Sequence, residues 1–132
     1  MSDTITVLTI EDQDDIRRLI RMTLEFKGFQ VIEAAEATTG LALARQHRPQ
    51  LILLDVMMPG MDGLTASRAL ASDSTLRQIP VVMLSALGMA DDEQAGLDTG
   101  ARAYLIKPFD PWQLLALVDR LTQGAVTCHA CR

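Results

Sequence analysis

Acidic side chains directly follow two apolar runs of the sequence. Residues 51–54 are aliphatic and are followed by Asp55. Residues 5–10 are apolar or β-branched and are followed by Glu11 and Asp12. Such runs are typical of strands in a parallel sheet, so each acidic group is predicted at the carboxyl end of a strand. Because ligands bind outside those strand ends in open α/β sheets, the three carboxylates are candidates for a binding or catalytic site.

Two further strand ends carry a hydroxyl and an amine. Ser85 follows the apolar run 79–84, and Lys107 follows residues 103–106. Neighbouring carboxylates repel one another unless a cation lies between them, and sites rich in oxygen suit Mg²⁺. A carboxylate accepts a phosphoryl group as an acyl phosphate when a metal and a cation stabilise the phosphoryl oxygens. These residue types therefore indicate a Mg²⁺ site suited to phosphoryl transfer.

Alternating strands and helices must position these groups. We predict strands over 5–10, 30–33, 51–54, 79–84 and 103–106, and helices over 14–27, 38–47, 64–71, 91–99 and 111–123. This alternation, with short connections, predicts a parallel sheet. Right-handed crossovers then bring the carboxyl ends of all strands to one edge, so the four groups of site residues are expected to converge.

Length and charge limit the function classes. The 132 residues, 48% of them hydrophobic, suffice for one domain, which we place over 1–124 with a disordered tail over 125–132. A net charge of −5 argues against direct nucleic-acid binding, which depends on clustered basic residues. No apolar stretch approaches the ~20 residues of a membrane span, and no signal sequence is recognisable, which favours a cytoplasmic protein.

The tail contains one C-x-x-C pattern, formed by Cys128 and Cys131. A structural zinc site needs four ligands, and only His129 accompanies the two cysteines. An unliganded tail is therefore favoured over metal binding or redox chemistry.

Taken in order, the motifs resemble the receiver domain of two-component response regulators, the family that includes single-domain chemotaxis regulators. The resemblance covers about residues 4–123 and implies a flavodoxin-like sheet with strand order 2-1-3-4-5. It also implies transfer of a phosphoryl group from a phosphohistidine to Asp55 with Mg²⁺. The motifs are Glu11-Asp12, Asp55 with Met58-Pro59-Gly60-Met61-Asp62-Gly63, Ser85-Ala86, and Lys107-Pro108-Phe109.

The resemblance assigns the metal ligands. Asp55 is implied to be both the phosphoacceptor and a ligand, with Asp12 as the second carboxylate and the backbone carbonyl of Met57 as a further ligand. Glu11 would act through a metal-bound water. Many family members have Asp at that first acidic position, and the longer side chain is expected to change metal affinity only modestly.

The resemblance also assigns the groups that bind the phosphoryl oxygens. Ser85 and Lys107 would each bind one oxygen, and the peptide bond between Lys107 and Pro108 is expected to be cis. Tyr104 matches the family's switch aromatic, which turns inward when the hydroxyl moves toward the phosphoryl group. That movement would change the face formed by the fourth predicted helix, the fifth strand and the fifth predicted helix.

Two apolar residues lie where the family flanks the path of the hydrolytic water. Met57 and Leu87 stand two positions beyond Asp55 and Ser85. Neither side chain can orient or activate a water molecule, so we predict slow self-dephosphorylation. The decay rate of the phosphorylated protein measures this property.

The implied function is a signalling switch that promotes its own phosphorylation and dephosphorylation but is not a turnover enzyme. Its donor would be a histidine kinase or a histidine phosphotransfer protein, and its target an unnamed protein, with a phosphorylation-dependent homodimer as a further option. One alternative is a Mg²⁺ phosphatase with Asp55 as nucleophile. Phosphatases resembling haloacid dehalogenases have a second Asp where this chain has Met57, which disfavours that alternative. The other alternative, a pseudo-receiver, is disfavoured because every phosphorylation position is filled.

Three arginines on the first predicted helix have two interpretations. Arg17, Arg18 and Arg21 form either a solvated face or part of the surface that docks the histidine-bearing helical bundle. In the second case apolar neighbours would supply most of the binding energy, and the arginines would steer the partner.

Overall fold

The computed structural model describes residues 4–56, 60, 63–86 and 101–127, and its five strands form one parallel sheet. The strands, in chain order, are β1 (Thr6–Ile10), β2 (Gln30–Ala34), β3 (Leu51–Asp55), β4 (Val81–Ala86) and β5 (Ala103–Lys107). Their order in the sheet is β2-β1-β3-β4-β5, which confirms the predicted flavodoxin-like architecture. Asp55 and Lys107 are the last residues of their strands, rather than the first residues beyond them.

β4 is shifted by two residues from its predicted bounds. It begins at Val81 instead of residue 79, and it includes Ser85. Pro80 explains the later start, because proline has no N–H to donate to a neighbouring strand.

The described helices are α1 (Asp14–Phe26), α2 (Ala37–His47), α3 (Gly63–Ser72) and α4 (Pro111–Thr127). The last helix extends four residues beyond the predicted end at Gln123, to Thr127. A single glycine, Gly124, weakens a helix without ending it. None of the described helices is both long enough and apolar enough to cross a membrane. The helix predicted over 91–99 and both cysteines lie outside the described residues.

The central strand β3 is buried along its whole length and separates two apolar layers. Leu51 and Leu53 pack into the layer that contains α1 and α4. Ile52 and Leu54 pack into the layer that contains α2 and α3. Because successive side chains of a strand point to opposite faces, an uninterrupted aliphatic run suits this two-sided position. Packing on both sides fixes the backbone that carries Asp55.

Gly63 lets the start of α3 lie against the carboxyl end of β3. Its N–H donates a hydrogen bond to the carbonyl of Val56 at 2.9 Å. A Cβ atom added to this glycine would lie 2.7 Å from Val56 Cα and even closer to the carbonyl oxygen of Asp55. Those atoms are backbone and cannot rotate away, so this position excludes every side chain.

We therefore predict that Gly63→Ala lowers the free energy of unfolding by at least about 2 kcal/mol, in the upper part of the range for overpacking. Ser72→Ala, an exposed change at the far end of the same helix, is the control and should change stability by less than about 0.5 kcal/mol. Urea denaturation of both variants measures the difference. Equal stabilities would show that the glycine is not required for this packing.

Candidate functional site

Three carboxylates meet at the carboxyl edge of the sheet. Glu11 and Asp12 directly follow β1, and Asp55 ends the neighbouring strand β3. One carboxylate oxygen from each residue lies within 4.8 Å of the others. Glu11 is fully buried, Asp55 is 3% exposed and Asp12 is half-buried. The predicted convergence of these acidic groups is therefore observed.

Lys107 places its ammonium group between two of these carboxylates. Its Nζ lies 3.0 Å from Glu11 Oε1 and 3.2 Å from Asp55 Oδ1. The same nitrogen donates a long hydrogen bond, 3.4 Å, to Gln13 Oε1. The lysine starts from β5, two strands away from β3, so its long side chain spans β4 to reach the acidic groups. One positive charge is thus shared by two buried negative charges.

Burial and the nearby Asp55 charge raise the pKa of Glu11 from 4.5 to about 7. The Lys107 amine and the N–H of Gln13, which donates to Glu11 Oε2 at 3.1 Å, oppose this increase. The other oxygen, Oε1, is within ion-pair distance of Lys107 but has no hydrogen-bond partner among the described residues. The structure thus contains a buried, incompletely satisfied carboxylate at the centre of the site.

Ser85 and Tyr104 lie on adjacent strands of the sheet. Ser85 is in β4 and is 1% exposed. Two residues before it, Met83 pairs with Tyr104 of the adjacent strand β5. Side chains two residues apart on a strand share a face, so Ser85 and Tyr104 lie on one side of the sheet. Tyr104 is half-buried and packs against the apolar layer of α2 and α3. The peptide bond between Lys107 and Pro108 is cis, as predicted.

The family model of the response regulator receiver domain matches residues 7–119. The chain belongs to this family. The match extends from β1 into α4 and includes all of the site residues described above, so the predicted family is confirmed.

Curated relatives of this receiver domain are longer proteins. It is 42% identical over 126 residues to the DNA-binding dual master transcriptional regulator RpaA of Synechocystis, with 90% of this chain and 52% of the relative covered. It is 41% identical over 112 residues to the phosphate regulon transcriptional regulatory protein PhoB of Escherichia coli, with 85% and 49% covered. The chain therefore spans about half the length of these relatives.

A solved structure of similar size has the same fold. Chemotaxis response regulator CheY4 of Vibrio cholerae superposes with a TM-score of 0.84 at 33% identity, covering 89% of this chain and 98% of that chain. This similarity extends over nearly the whole solved chain and agrees with the flavodoxin-like strand order.

The acidic cluster of the receiver domain fits a divalent cation. Three carboxylates face a single ammonium group, and Glu11 Oε1 has an unused acceptor position. Hard cations such as Mg²⁺ take oxygen ligands and keep several waters, so Asp12 and Asp55 are suited to direct ligation and Glu11 to binding a metal-bound water. Met57, whose carbonyl is the predicted third protein ligand, lies outside the described residues, as does Leu87.

Sequence reasoning missed two polar residues that shape the site. Gln13 precedes the first helical residue but makes no side-chain capping bond, and its amide reaches Lys107 instead. Its signal is weak: Ser, Thr, Asp or Asn usually occupy such a position. Arg17 donates from Nη1 to the backbone carbonyl of Glu11 at 2.8 Å and thereby holds the segment between β1 and α1. Arg17 is six positions from Glu11 in the sequence, and no sequence pattern indicates this bond.

The raised pKa of Glu11 predicts a specific pH dependence of stability. Between its ordinary pKa of 4.5 and about 7, the folded state binds more protons than the unfolded state. The free energy of unfolding of the metal-free protein should therefore fall as pH rises through this window, because the buried carboxyl must ionise. Thermal unfolding in a chelator measures this, with Glu11→Gln as the matched variant. With rising pH, the free energy of unfolding of wild type should fall relative to that of Glu11→Gln. A difference that does not change with pH would contradict the prediction.

Proposed function

We propose that the protein is a phosphorylation-dependent signalling switch in which Asp55 accepts a phosphoryl group from a phosphohistidine with the help of Mg²⁺. The observation that carries this proposal is the position of Lys107, whose Nζ lies 3.2 Å from Asp55 Oδ1 within the three-carboxylate cluster. An isolated structural ion pair would not need two additional acidic groups beside it.

The chemistry follows from the roles of the residues. An oxygen of Asp55 attacks phosphorus, a P–O bond forms, and the P–N bond to the donor imidazole breaks. Lys107 is already within reach of Asp55 and can pair with a phosphoryl oxygen, while Ser85 can donate its hydroxyl to another. When bound, Mg²⁺ would supply further compensation for the charge on those oxygens.

The proposed output depends on the shared face of Ser85 and Tyr104. A hydroxyl that moves toward the phosphoryl group leaves space on this side of the sheet, and Tyr104 is the half-buried aromatic on the adjacent strand. We propose that its inward movement changes the face that includes β5 and α4 and so regulates a target protein or a phosphorylation-dependent homodimer. The rest of this face, the helix predicted over 91–99, lies outside the described residues.

An apolar groove between α1 and α4 is the proposed docking surface for the donor. It has a volume of about 320 Å³ and includes Leu19, Met22, Phe26 and Trp112, all of which are large exposed apolar side chains. Both helices begin at the site edge, α1 after Asp12 and α4 after Lys107. The groove includes Pro111 and Trp112 of the first turn of α4, so one end of a helical partner in it would lie toward the site edge. The proposed occupant is the histidine-bearing helical bundle of a kinase or phosphotransfer protein.

The structure changes the roles proposed for the arginines of α1. Arg17 pairs with Asp14 at 2.6 Å and with Glu33 at 3.3 Å, and Arg21 pairs with Glu33 at 2.9 Å. Only Arg18 of the three is exposed and makes no ion pair with a described residue. We therefore assign electrostatic steering of the partner to Arg18.

We further propose that the protein is not a turnover enzyme and that it acts in the cytoplasm. Met57 occupies the position at which haloacid dehalogenase-like phosphatases have a second Asp, so the acyl phosphate would persist rather than turn over. A cytoplasmic location agrees with a donor that obtains its phosphoryl group from ATP. DNA binding is stated for the relative RpaA and is not proposed for this chain.

Incubation with a small phosphodonor and Mg²⁺ tests the phosphoacceptor role. We expect a covalent label with a stoichiometry approaching one, stable in acid and labile in alkali, because it is an acyl phosphate. Asp55→Asn should abolish it, since an amide oxygen is a far weaker nucleophile. Asp15→Asn, at an exposed acidic residue of α1, is the control and should be labelled like wild type. Continuous phosphate release would instead indicate a phosphatase, and absence of label a pseudo-receiver.

If the donor docks in this groove, substitutions there should slow phosphorylation by a histidine phosphotransfer domain but not phosphorylation by a small phosphodonor. Trp112→Ala and Leu19→Ala should slow transfer from a histidine phosphotransfer domain by about tenfold or more, because exposed apolar anchors dominate binding energy. Labelling by a small phosphodonor should be unchanged, since neither side chain contacts Asp55. Arg68→Ala, exposed on α3 across the sheet, is the control.

Trp112 is the only tryptophan and is 73% exposed, so its fluorescence should also change when the partner binds. Unchanged transfer rates in both variants would place the docking surface elsewhere.

A further inference from the structure

A second cavity lies at the opposite edge of the sheet from Asp55. Its volume is about 680 Å³, within the usual range of small-molecule pockets. It is formed where three strands begin, since its residues directly precede β3, β4 and β5. Its lining includes two arginines, Arg48 and Arg102, together with uncharged polar residues and apolar residues.

The cavity is positively charged although the whole chain carries a net charge of −5. Arg48 and Arg102 both line it, and no acidic side chain does so among the described residues. Neither arginine forms an ion pair within the part of the chain that the structure describes. Asp73 directly precedes the lining residue Ser74 in the sequence. It is paired with Arg45 at 3.3 Å and accepts hydrogen bonds from Thr75. Both guanidinium groups are therefore available to an anion.

Neutral hydrogen-bonding groups accompany the two arginines. Gln50 accepts a hydrogen bond from the backbone N–H of Thr6 through Oε1 at 2.7 Å, which fixes its amide and leaves the NH₂ group as a donor. Ser74 and Gln78 add a hydroxyl and a second amide. A guanidinium binds phosphate oxygens in a two-pronged geometry, and fixed amides and hydroxyls suit the polar edge of a ligand.

One part of the lining is apolar. Pro49, Ile79, Pro80 and Leu121 contribute it, and Pro49 is buried while the other three are half-buried. Such a surface can cover a planar ring but contributes nothing to binding a bare anion. The lining therefore combines a charged region with a region suited to a ring.

Arg48 has a backbone conformation that a glycine would adopt more easily. It ends α2 with φ of 48° and ψ of 63°, in the left-handed region. Glycine is the usual residue at such helix ends, because it has no Cβ. The chain instead has a long cation here, and its side chain lines the cavity. A role of the Arg48 side chain in ligand binding would explain why a strained arginine is present here instead of glycine.

We propose that this cavity binds a small phosphorylated ring compound of the nucleotide class, with the phosphate at Arg48 and Arg102 and the ring against the proline-containing apolar part. The five residues of β3 separate this cavity from the phosphorylation site by about 16 Å. Ligand binding here is therefore chemically independent of acyl phosphate formation at Asp55. Failure of either proposal leaves the other unaffected.

Calorimetric titration of the full chain with AMP, adenosine and inorganic pyrophosphate tests the proposal. Wild type should bind AMP at one site, and more tightly than either adenosine or pyrophosphate, because only AMP uses both regions of the cavity. Arg48→Gly and Arg102→Gln should each weaken AMP binding at least tenfold. Arg68→Gln, a charge-matched change at an exposed residue of α3, should have no effect.

The same variants also show whether a loss of affinity comes from a loss of folded structure. Arg48→Gly removes a side chain from a left-handed position, so its melting temperature should equal or exceed that of wild type while AMP affinity falls. This opposite change in stability and affinity separates loss of a ligand contact from loss of structure.

Three results would overturn the proposal. The first is the absence of saturable AMP binding at concentrations up to about 10 mM. The second is equal weakening in Arg68→Gln, which would indicate a general charge effect. The third is pyrophosphate binding as tight as that of AMP, which would exclude a role for the ring.

Discussion

The site depends on one ammonium group held between buried carboxylates. Lys107 lies 3.0 Å from Glu11 and 3.2 Å from Asp55, and both acidic side chains are almost completely removed from water. Ionised carboxylates in such a position are costly unless they are paired, and a single lysine cannot fully compensate three of them. The remaining negative charge favours a divalent cation, which would in turn offset the negative charge of an incoming phosphoryl group. Repulsion among the carboxylates of the metal-free site is therefore what favours the cation on which phosphoryl transfer would depend.

The fold makes this arrangement possible because a parallel sheet collects residues that are distant in sequence. Glu11 follows β1, and Asp55, Ser85 and Lys107 lie in three other strands. These residues meet at one edge because all the strands run in the same direction. β3 is buried on both faces, so the backbone that carries Asp55 is held between two packed layers. Gly63 adds a second constraint, since its missing side chain lets α3 contact the backbone of Asp55. Rigidity of the scaffold thus supports a site whose charges repel one another.

Much of this site could be predicted from the sequence. The apolar run before Asp55 predicted both the strand and the position of the carboxylate, and the other strand ends predicted the convergence. Strand order was implied by the family resemblance and could not be derived from hydrophobic periodicity, because periodicity describes single elements and not their neighbours.

Other features depend on three-dimensional contacts that local patterns do not encode. The amide of Gln13 bonds a lysine 94 positions away. Arg21 was interpreted as part of either a solvated face or a docking surface, but it is held by Glu33 of β2. The later start of β4 and the longer last helix show the same limitation at element ends, where one Pro or Gly competes with tertiary packing. Long apolar runs were therefore predicted well, and individual polar contacts were not.

The most direct test of the central claim is a crystal structure of the protein with Mg²⁺ and beryllium trifluoride, a tetrahedral mimic of the phosphoryl group. We predict that the beryllium is bonded to a carboxylate oxygen of Asp55, that Lys107 Nζ contacts one fluorine and Ser85 Oγ another, and that Mg²⁺ lies among Asp12, Asp55 and a fluorine. A beryllium trifluoride group bound elsewhere, or a Lys107 that remains paired with Glu11 and makes no contact with it, would contradict the account.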